Sequence, residues 1–498
     1  MTLRLMVFLM LAPLTALAAQ DAAPKRGASV ALSLSDALAR ADSASESVGI
    51  ARAGVRGAEA ARLRARSALL PQLNGSATYS RTIKSQFAGF ADASSSDTFP
   101  APVNCGHFTP NPNLPLGERL DSLERGLDCA ANGSGIDFGS LPFGRANTYN
   151  FGLSASQALF NPALRGQVAA AAATRDAAEA GLTAERARAV LDVAQAYLDA
   201  QLADRLLEIA DSTLAQAERA FGQTRLEKNV GNVAEFDLLR ATVTRDNQRP
   251  VVIQRRAARD RAFLKLRQLL DLPDGATLVL TTPLGDTTGL AMPGSVAPGG
   301  ADTSIALRAP VRQAEAGLRS SEAQVRSAQG SRLPSLALSS TYAKIAFPER
   351  VFGINDFVTD WSVVLRLDVP LYTGGRLRAD ALSARAARDA AALRLRQARE
   401  QAEREAADVR SDLTAAEASY AASSGTADLA VRAYSIADVR YRNGLSTLTE
   451  LSDARIQLEQ AQANRAQAAR DLQLARVHAS LLRDLPFGAG GLTAAGGF

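Results

Sequence analysis

The sequence predicts a mainly α-helical protein with a small β part. Three observations predict it: one order of elements recurs in two copies, apolar residues recur at helical spacing over very long stretches, and a few short segments alternate apolar and polar residues. A period near 3.6 marks a helix face, and a period of two marks a strand. We expect each copy to contain a helix, a strand, a loop, a strand, a very long helix, a tight turn and a helix.

The N-terminus has the features of a secretory signal peptide. Arg4 precedes an apolar run from Leu5 to Leu14, and a small-residue triplet ending at Ala18 follows. This order is typical of an export signal with its cleavage site. We therefore place a signal peptide at 1–18. No cysteine follows Ala18 directly, so we expect no lipid anchor, and no later apolar stretch approaches the roughly 20 residues of a membrane helix.

The duplication is visible at matched landmarks. Phe160 to Gly231 is 71 residues and Tyr372 to Gly444 is 72, whereas each of these glycines precedes a proline by 42 residues. We assign the first repeat to 19–273, a connector to 274–302 and the second repeat to 303–486. The Gly- and Ala-rich tail, 487–498, is predicted to be disordered.

The first copy carries 51 extra residues, which fall within 86–146. This segment is rich in Ser, Gly, Pro, Asn and Asp, which favours an elaborated loop. A small inserted domain is the alternative. Cys105 and Cys129 both lie in this segment of an exported chain, so a disulfide is predicted, with two free thiols as the alternative.

Long amphipathic helices follow from apolar stripes. In the second copy the stripe runs from Ala391 through Ala402 and Val409 to Tyr420, and in the first copy from Leu191 to Ile209. If residues 377–441 form one helix, it is about 100 Å long at 1.5 Å per residue. The alanine-rich stripes suit helices packed side by side in a cylinder, and an ordinary coiled coil is the alternative.

Four segments alternate with a period of two, most clearly in the last. The predicted membrane-strand residues there are Trp361, Val363, Leu365 and Leu367. Apolar residues outward and polar residues inward suit a barrel in lipid. Because four strands cannot close a barrel and open edges in hydrocarbon are costly, we expect three chains to pool twelve strands in one transmembrane β-barrel. A four-stranded sheet in a soluble domain is the alternative.

Composition excludes several other functions. Net charge is +5, but cations and acids mix along the helices, as at Arg399 and Glu400, which is typical of solvated helix faces rather than nucleic acid binding. With two cysteines and only His107 and His478, no zinc site of usual spacing can form. No cofactor and no enzymatic activity are predicted.

Two duplicated motifs carry a resemblance to a known family. Residues 369–376 (VPLYTGGR) resemble the strand-to-helix junction of the TolC-like outer membrane efflux proteins, and residues 441–446 (YRNGLS) resemble their helix-to-helix tip. The resemblance covers 32–486. It implies a homotrimer in the outer membrane, with an α-helical barrel of long antiparallel hairpins in the periplasm. It also implies a periplasmic adaptor and an inner membrane pump of the RND, ABC or MFS type as partners.

The same resemblance implies functional residues at the turns. The implied gate residues are Glu450, Asp453, Asp237 and Tyr441. The implied adaptor-docking residues are Val230, Gly231, Asn232, Asn443, Gly444, Leu445 and Ser446. Ordinary solvated helix positions are the alternative for the acids. The family's basic residue two positions after the second glycine is replaced by Ser446, which departs from its gate pattern.

Within the duct interpretation the cargo stays open. Small toxic molecules carried by a multidrug pump and an unfolded protein carried by a type I secretion system are both compatible with the sequence. A periplasmic coiled-coil adaptor or structural protein is a remote alternative, but it would not need strand hairpins ahead of the long helices.

Overall fold

The computed structural model describes residues 29–83, 112–132, 146–231, 233–273, 277–284, 305–348 and 357–489. The strands are β1 (Ser29–Leu32), β2 (Gln72–Arg81), β3 (Asn147–Phe160), β4 (Thr277–Leu280), β5 (Ser335–Ala346) and β6 (Phe357–Asp368). The helices are α1 (Leu34–Ala44), α2 (Glu46–Ser67), α3 (Leu116–Asn132), α4 (Pro162–Asn229), α5 (Glu235–Leu269), α6 (Ala309–Gly330), α7 (Arg376–Arg442) and α8 (Leu448–Leu481). The predicted class, mainly α with a small β part, is confirmed.

Several predictions fall wholly or partly outside the described residues, including much of the loop at 86–146, of the connector at 274–302 and of the tail at 487–498. The signal peptide at 1–18, Cys105 and Asn232 also lie outside them. Export, the disulfide and the role of Asn232 therefore stay predictions. Among the helices that are described, none combines the length and the apolar character needed to span a membrane.

The chain divides into two compact units. Unit 1 comprises 1–57, 176–317 and 391–498, and unit 2 comprises 58–175 and 318–390. The helices α2, α4, α6 and α7 each contribute residues to both units.

Unit 2 is built on a four-stranded antiparallel sheet of order β2-β3-β5-β6. Its register sorts side chains by polarity. The apolar face, as we call it, contains Leu73, Gly75, Ala77, Tyr79, Tyr149, Phe151, Leu153, Ala155, Leu336, Leu338, Ser340, Tyr342, Lys344, Ala346, Phe357, Thr359, Trp361, Val363, Leu365 and Leu367 together with Arg81, Asn147 and Gln157. Ser, Thr, Asn and Asp dominate the opposite, polar face. Trp361 is 71% exposed and Leu365 62%, so the apolar face has no cover within the chain.

A seam of small residues packs the start of α4 against the end of α6. A Cβ atom at Gly166 would lie 2.5 Å from the backbone nitrogen of Ser327, and one at Gly330 would lie 2.6 Å from that of Ala163. Ser327 Oγ donates to the Ala163 carbonyl at 2.9 Å. Only glycine permits this approach, which fixes how α4 leaves the sheet after β3.

Unit 1 contains two antiparallel helix hairpins. In the first, Arg259 of α5 pairs with Asp204 of α4, and nearer the turn Lys228 Nζ lies 3.3 Å from Glu235. In the second, Asp428 of α7 pairs with Arg465 of α8 at 3.5 Å. The predicted stripe of α7 is buried in this packing, with Ala402 fully covered, which confirms the helical interpretation of its spacing.

A buried guanidinium joins α7 to the C-terminal end of α8, away from the turn between them. Arg308, 3% exposed, lies 2.9 Å from Glu405 and donates to the carbonyls of Leu482 and Ala402. Its cation also lies 5.3 Å from the ring centroid of Phe487. Residues 487–489, the start of the tail predicted to be disordered, form a turn here.

Three elements of the structure were missed by the sequence prediction. β1 and β4 form a parallel pair, and β4 lies inside the predicted connector. Tyr197, fully buried, donates its hydroxyl to the Leu32 carbonyl at 3.0 Å and holds this pair on the core. Helix α3 lies inside the segment predicted as an elaborated loop. Turn-forming residues around these three elements favoured a loop interpretation of the sequence.

The seam gives a stability prediction. Gly166→Ala and Gly330→Ala are each expected to lower the unfolding free energy by about 1–3 kcal/mol, because the added methyl group meets backbone that cannot retreat. Gly54→Ala in α2 is the matched control, since a Cβ there meets nothing within 4 Å. Alanine's higher helix propensity should raise stability there by up to about 1 kcal/mol. Thermal melts followed by circular dichroism check this, and equal shifts in all three variants would contradict it.

Candidate functional site at the helical turns

The turn between α7 and α8 ends one helix and starts the next through backbone capping. Gly444 has φ +72°, its N–H donates to the Tyr441 carbonyl at 2.9 Å, and the Leu445 N–H donates to the Arg440 carbonyl at 2.8 Å. This pair of bonds is the Schellman motif, which requires a left-handed residue that glycine adopts without strain. Thr447 then caps α8, accepting from the Glu450 N–H at 3.3 Å.

The turn between α4 and α5 uses the same chemistry with a weaker second cap. Gly231 has φ +84°, and its N–H donates to the Lys228 carbonyl at 2.9 Å. Ala234 occupies the N-cap of α5 and supplies no side-chain acceptor. The acids Glu235 and Asp237 in the first turn of α5 instead complement the positive end of the helix dipole.

A buried hydrogen bond ties the two hairpins together next to these turns. Tyr441 Oη lies 2.8 Å from Thr224 Oγ1, and Thr224 is fully buried. Because the single Thr224 hydroxyl hydrogen goes to the Ala220 carbonyl at 2.9 Å, the Tyr441 hydroxyl is the donor. Burial raises the pKa of Tyr441, the hydrogen bond with Thr224 partly offsets this rise, and the charges of Glu227 and Asp237 add to it. The tyrosine is therefore a stable neutral donor.

Glu450 and Asp453 lie on the solvated side of α8, away from its buried stripe of Leu451, Arg455 and Leu458. They stand three residues apart, so they share one helix face. Within the part of the chain that the structure describes, neither carboxylate pairs with a cation. The structure thus brings Tyr441 close to Asp237, and leaves Glu450 and Asp453 as a separate exposed pair.

Two residues near the turns were missed by the sequence prediction. Thr224, the acceptor for Tyr441, lies seven residues before Gly231 on the buried side of α4. Arg455 is 6% exposed, and its Nη1 has no hydrogen-bond partner among the described residues. Burial lowers the pKa of Arg455, with Glu459 acting in the opposite direction. A threonine or arginine in a charged helix gives no sequence signal until its partner helix is known.

Comparison with known proteins identifies the family. The sequence model of the outer membrane efflux protein family matches residues 127–271 and 301–479, which is more than half of the chain. The chain belongs to this family. Members of the outer membrane efflux protein family are channels and not enzymes, which confirms the prediction that the chain catalyses no reaction.

Solved structures share the fold along nearly the whole chain. A membrane protein from Pseudomonas aeruginosa is 22% identical with a TM-score of 0.68, over 91% of this chain and 93% of that one. The open state of the Neisseria gonorrhoeae MtrE outer membrane channel is 19% identical with a TM-score of 0.67, over 91% and 89%. The Vibrio cholerae outer membrane protein VceC is 20% identical with a TM-score of 0.65, over 90% and 95%. Comparison with curated proteins finds no match.

The left-handed turn residue of this efflux protein gives a second prediction. Gly444→Ala is expected to destabilise the protein by about 1–2 kcal/mol, because a Cβ atom is strained at that φ. Gly425→Ala, inside the same helix α7 and with open space around its Cβ position, is the control and should be neutral or stabilising. Denaturant unfolding of the purified protein measures both. Indistinguishable midpoints would show that Gly444 is not held in the left-handed conformation.

Proposed function

We propose that the chain is the outer membrane duct of a tripartite efflux pump, and that as a homotrimer it conducts cargo passively from an inner membrane transporter and a periplasmic adaptor to the exterior. Family membership supports the efflux channel itself. The observation that carries the rest is the sheet of unit 2, whose apolar face is exposed and whose two edges are open.

The open edges make one chain insufficient in a membrane. Among the described strands, β2 and β6 each pair on one side only. An unpaired backbone N–H or C=O group in hydrocarbon costs several kcal/mol. Three sheets joined edge to edge supply twelve strands, an even number typical of outer membrane barrels, and leave no edge. The apolar face then contacts lipid, and the polar face lines an aqueous lumen.

The helical turns suit the docking of a periplasmic adaptor. Both turns present exposed apolar side chains, with Val230 70% and Leu445 69% exposed, and Phe236 in the first turn of α5 is 69% exposed. Apolar side chains grouped at a tip with polar surroundings are typical of protein interaction sites. The two long hairpins of each subunit would form the wall of a periplasmic tunnel ending at these tips.

The tips also serve as the gate in this proposal. Threefold symmetry brings six carboxylates, Glu450 and Asp453 from each subunit, around one bore. Their mutual repulsion in a narrow passage is relieved by bound cations, which gives the passage a preference for cations. The buried Tyr441–Thr224 bond holds the two turns of each subunit in one arrangement, so breaking it should loosen the constriction.

The carboxylates are tested by conductance in planar bilayers. The double variant Glu450→Gln, Asp453→Asn is expected to reduce the cation-to-anion permeability ratio of the purified trimer several-fold, since it removes six negative charges from the bore. Glu403→Gln, an exposed acid of α7 far from the turns, is the matched control and should leave the ratio unchanged. Unchanged selectivity in the double variant would remove these acids from the gate.

The tyrosine is tested in the same apparatus. Tyr441→Phe removes one buried hydrogen bond, worth about 1 kcal/mol, and should raise the open probability about fivefold. Tyr434→Phe on the same helix is the control, because in the described structure no hydrogen bond is formed by that hydroxyl. If both variants behave alike, or Tyr441→Phe leaves the currents unaltered, the Tyr441–Thr224 bond does not hold the gate.

A further inference from the structure

The apolar face of the sheet carries two cations, and both lie at the end where the strands meet their loops. Lys344 is two residues from the end of β5, and Arg81 is the last residue of β2. Both side chains are exposed. No aspartate or glutamate occurs on this face of the described strands, because Asp360 and Asp368 lie on the polar face.

Lys344 lies at the head of a groove. The groove has a volume of about 590 Å³ and is lined by Gly75, Ala77, Phe151, Tyr342, Lys344 and Phe357 among others. The groove is deep on the β2 side because the β2 residues there whose side chains belong to this face are only Gly75 and Ala77. A second groove of about 410 Å³ continues down the apolar face past Trp361 and shares Leu153 and Tyr342 with the first. Together they form one apolar channel along the strands that starts at a cation.

A row of aromatic residues crosses the apolar face between the two cations. Tyr79 and Tyr149 stack at 4.8 Å between ring centroids in the row between Arg81 and Lys344, and Phe357 ends the same row on β6. Aromatic girdles of this kind stand at the boundary between hydrocarbon and head groups in outer membrane barrels. Lysine below such a boundary extends its stem along apolar surface and places its ammonium group at the interface.

We propose that this groove binds a phosphate-bearing anionic lipid of the outer leaflet, with Lys344 and Arg81 contacting the phosphate and an acyl chain lying in the channel past Leu153 and Trp361. This deepens the proposed function and rests on it, since the apolar face must contact lipid. Charge complementarity decides the occupant. The two cations repel the ammonium group of a zwitterionic lipid, and no acid on this face of the described strands offsets that repulsion. Each cation near a surface favours an anionic lipid about fivefold.

The loop end identifies the leaflet. In outer membrane barrels the long loops are extracellular and the short turns periplasmic. Here β2 and β3 are separated at this end by residues 82–146, and at the opposite end the strands continue into the helices. The cations therefore belong to the outer leaflet, where they would fix the height and rotation of the barrel.

Trp361 provides a local probe, because it is the only tryptophan of the chain and lines the second groove. The purified trimer is reconstituted in phosphatidylcholine vesicles, and quenching of tryptophan fluorescence by dibrominated phosphatidylglycerol is compared with quenching by dibrominated phosphatidylcholine. We expect about a 20-fold preference for the anionic lipid, and about a fivefold loss for Lys344→Gln and for Arg81→Gln separately. Arg366→Gln on the polar face of β6 is the control and should keep the full preference.

The outcomes separate this inference from the proposed function. Equal quenching by both lipids, or a preference that survives in both the Lys344→Gln and Arg81→Gln variants, would overturn the lipid site while leaving the apolar face in the membrane. Absence of quenching by either lipid would overturn the membrane placement of the sheet itself. Restoration of the preference by Lys344→Arg, which keeps the charge, would support the electrostatic account.

Discussion

Inside hydrocarbon every backbone N–H and C=O group must find a partner within the protein, and the proposed duct is built around this requirement. Among the described strands, the sheet of unit 2 pairs these groups along three strand pairs and leaves the outer edges of β2 and β6 unpaired. A register that places apolar side chains on one face and polar side chains on the other makes sense only if both faces have a solvent, one of lipid and one of water. In the proposed duct, the membrane part of the molecule is therefore complete only in an assembly.

Close packing fixes the helices that follow the strands of the sheet. The approach of Gly166 to Ser327 and of Gly330 to Ala163 fixes α4 against α6 directly below the sheet, so the long helices begin from a defined position. In unit 1, hairpins of alanine-rich helices are joined by charged contacts such as Arg470 to Asp199 at 2.6 Å, and by the buried Tyr441–Thr224 bond near the turns. Small residues let the helices approach closely, and a few polar contacts fix their relative positions along their axes.

Much of the fold could be predicted from sequence because it is periodic. The spacing of Ala391, Ala402 and Val409 predicted the buried face of α7, and the alternation around Trp361 predicted β6 and its apolar face. Features that do not repeat along the sequence were not predicted. The partner of Tyr441 lies 217 residues away in the sequence, β1 and β4 are only four residues each, and Arg455 becomes unusual only through its burial. These depend on which helices and strands become neighbours.

In the proposed duct three identical chains share their strands in one closed barrel, and the mass of the detergent-purified mature protein reports whether they do. Native mass spectrometry under conditions that strip detergent gently should give three times the mass of one chain, and membrane extraction without detergent should give none of it. A stable, water-soluble monomer recovered without detergent would rule out the shared barrel, because the exposed apolar face and the open edges of β2 and β6 would then need another explanation.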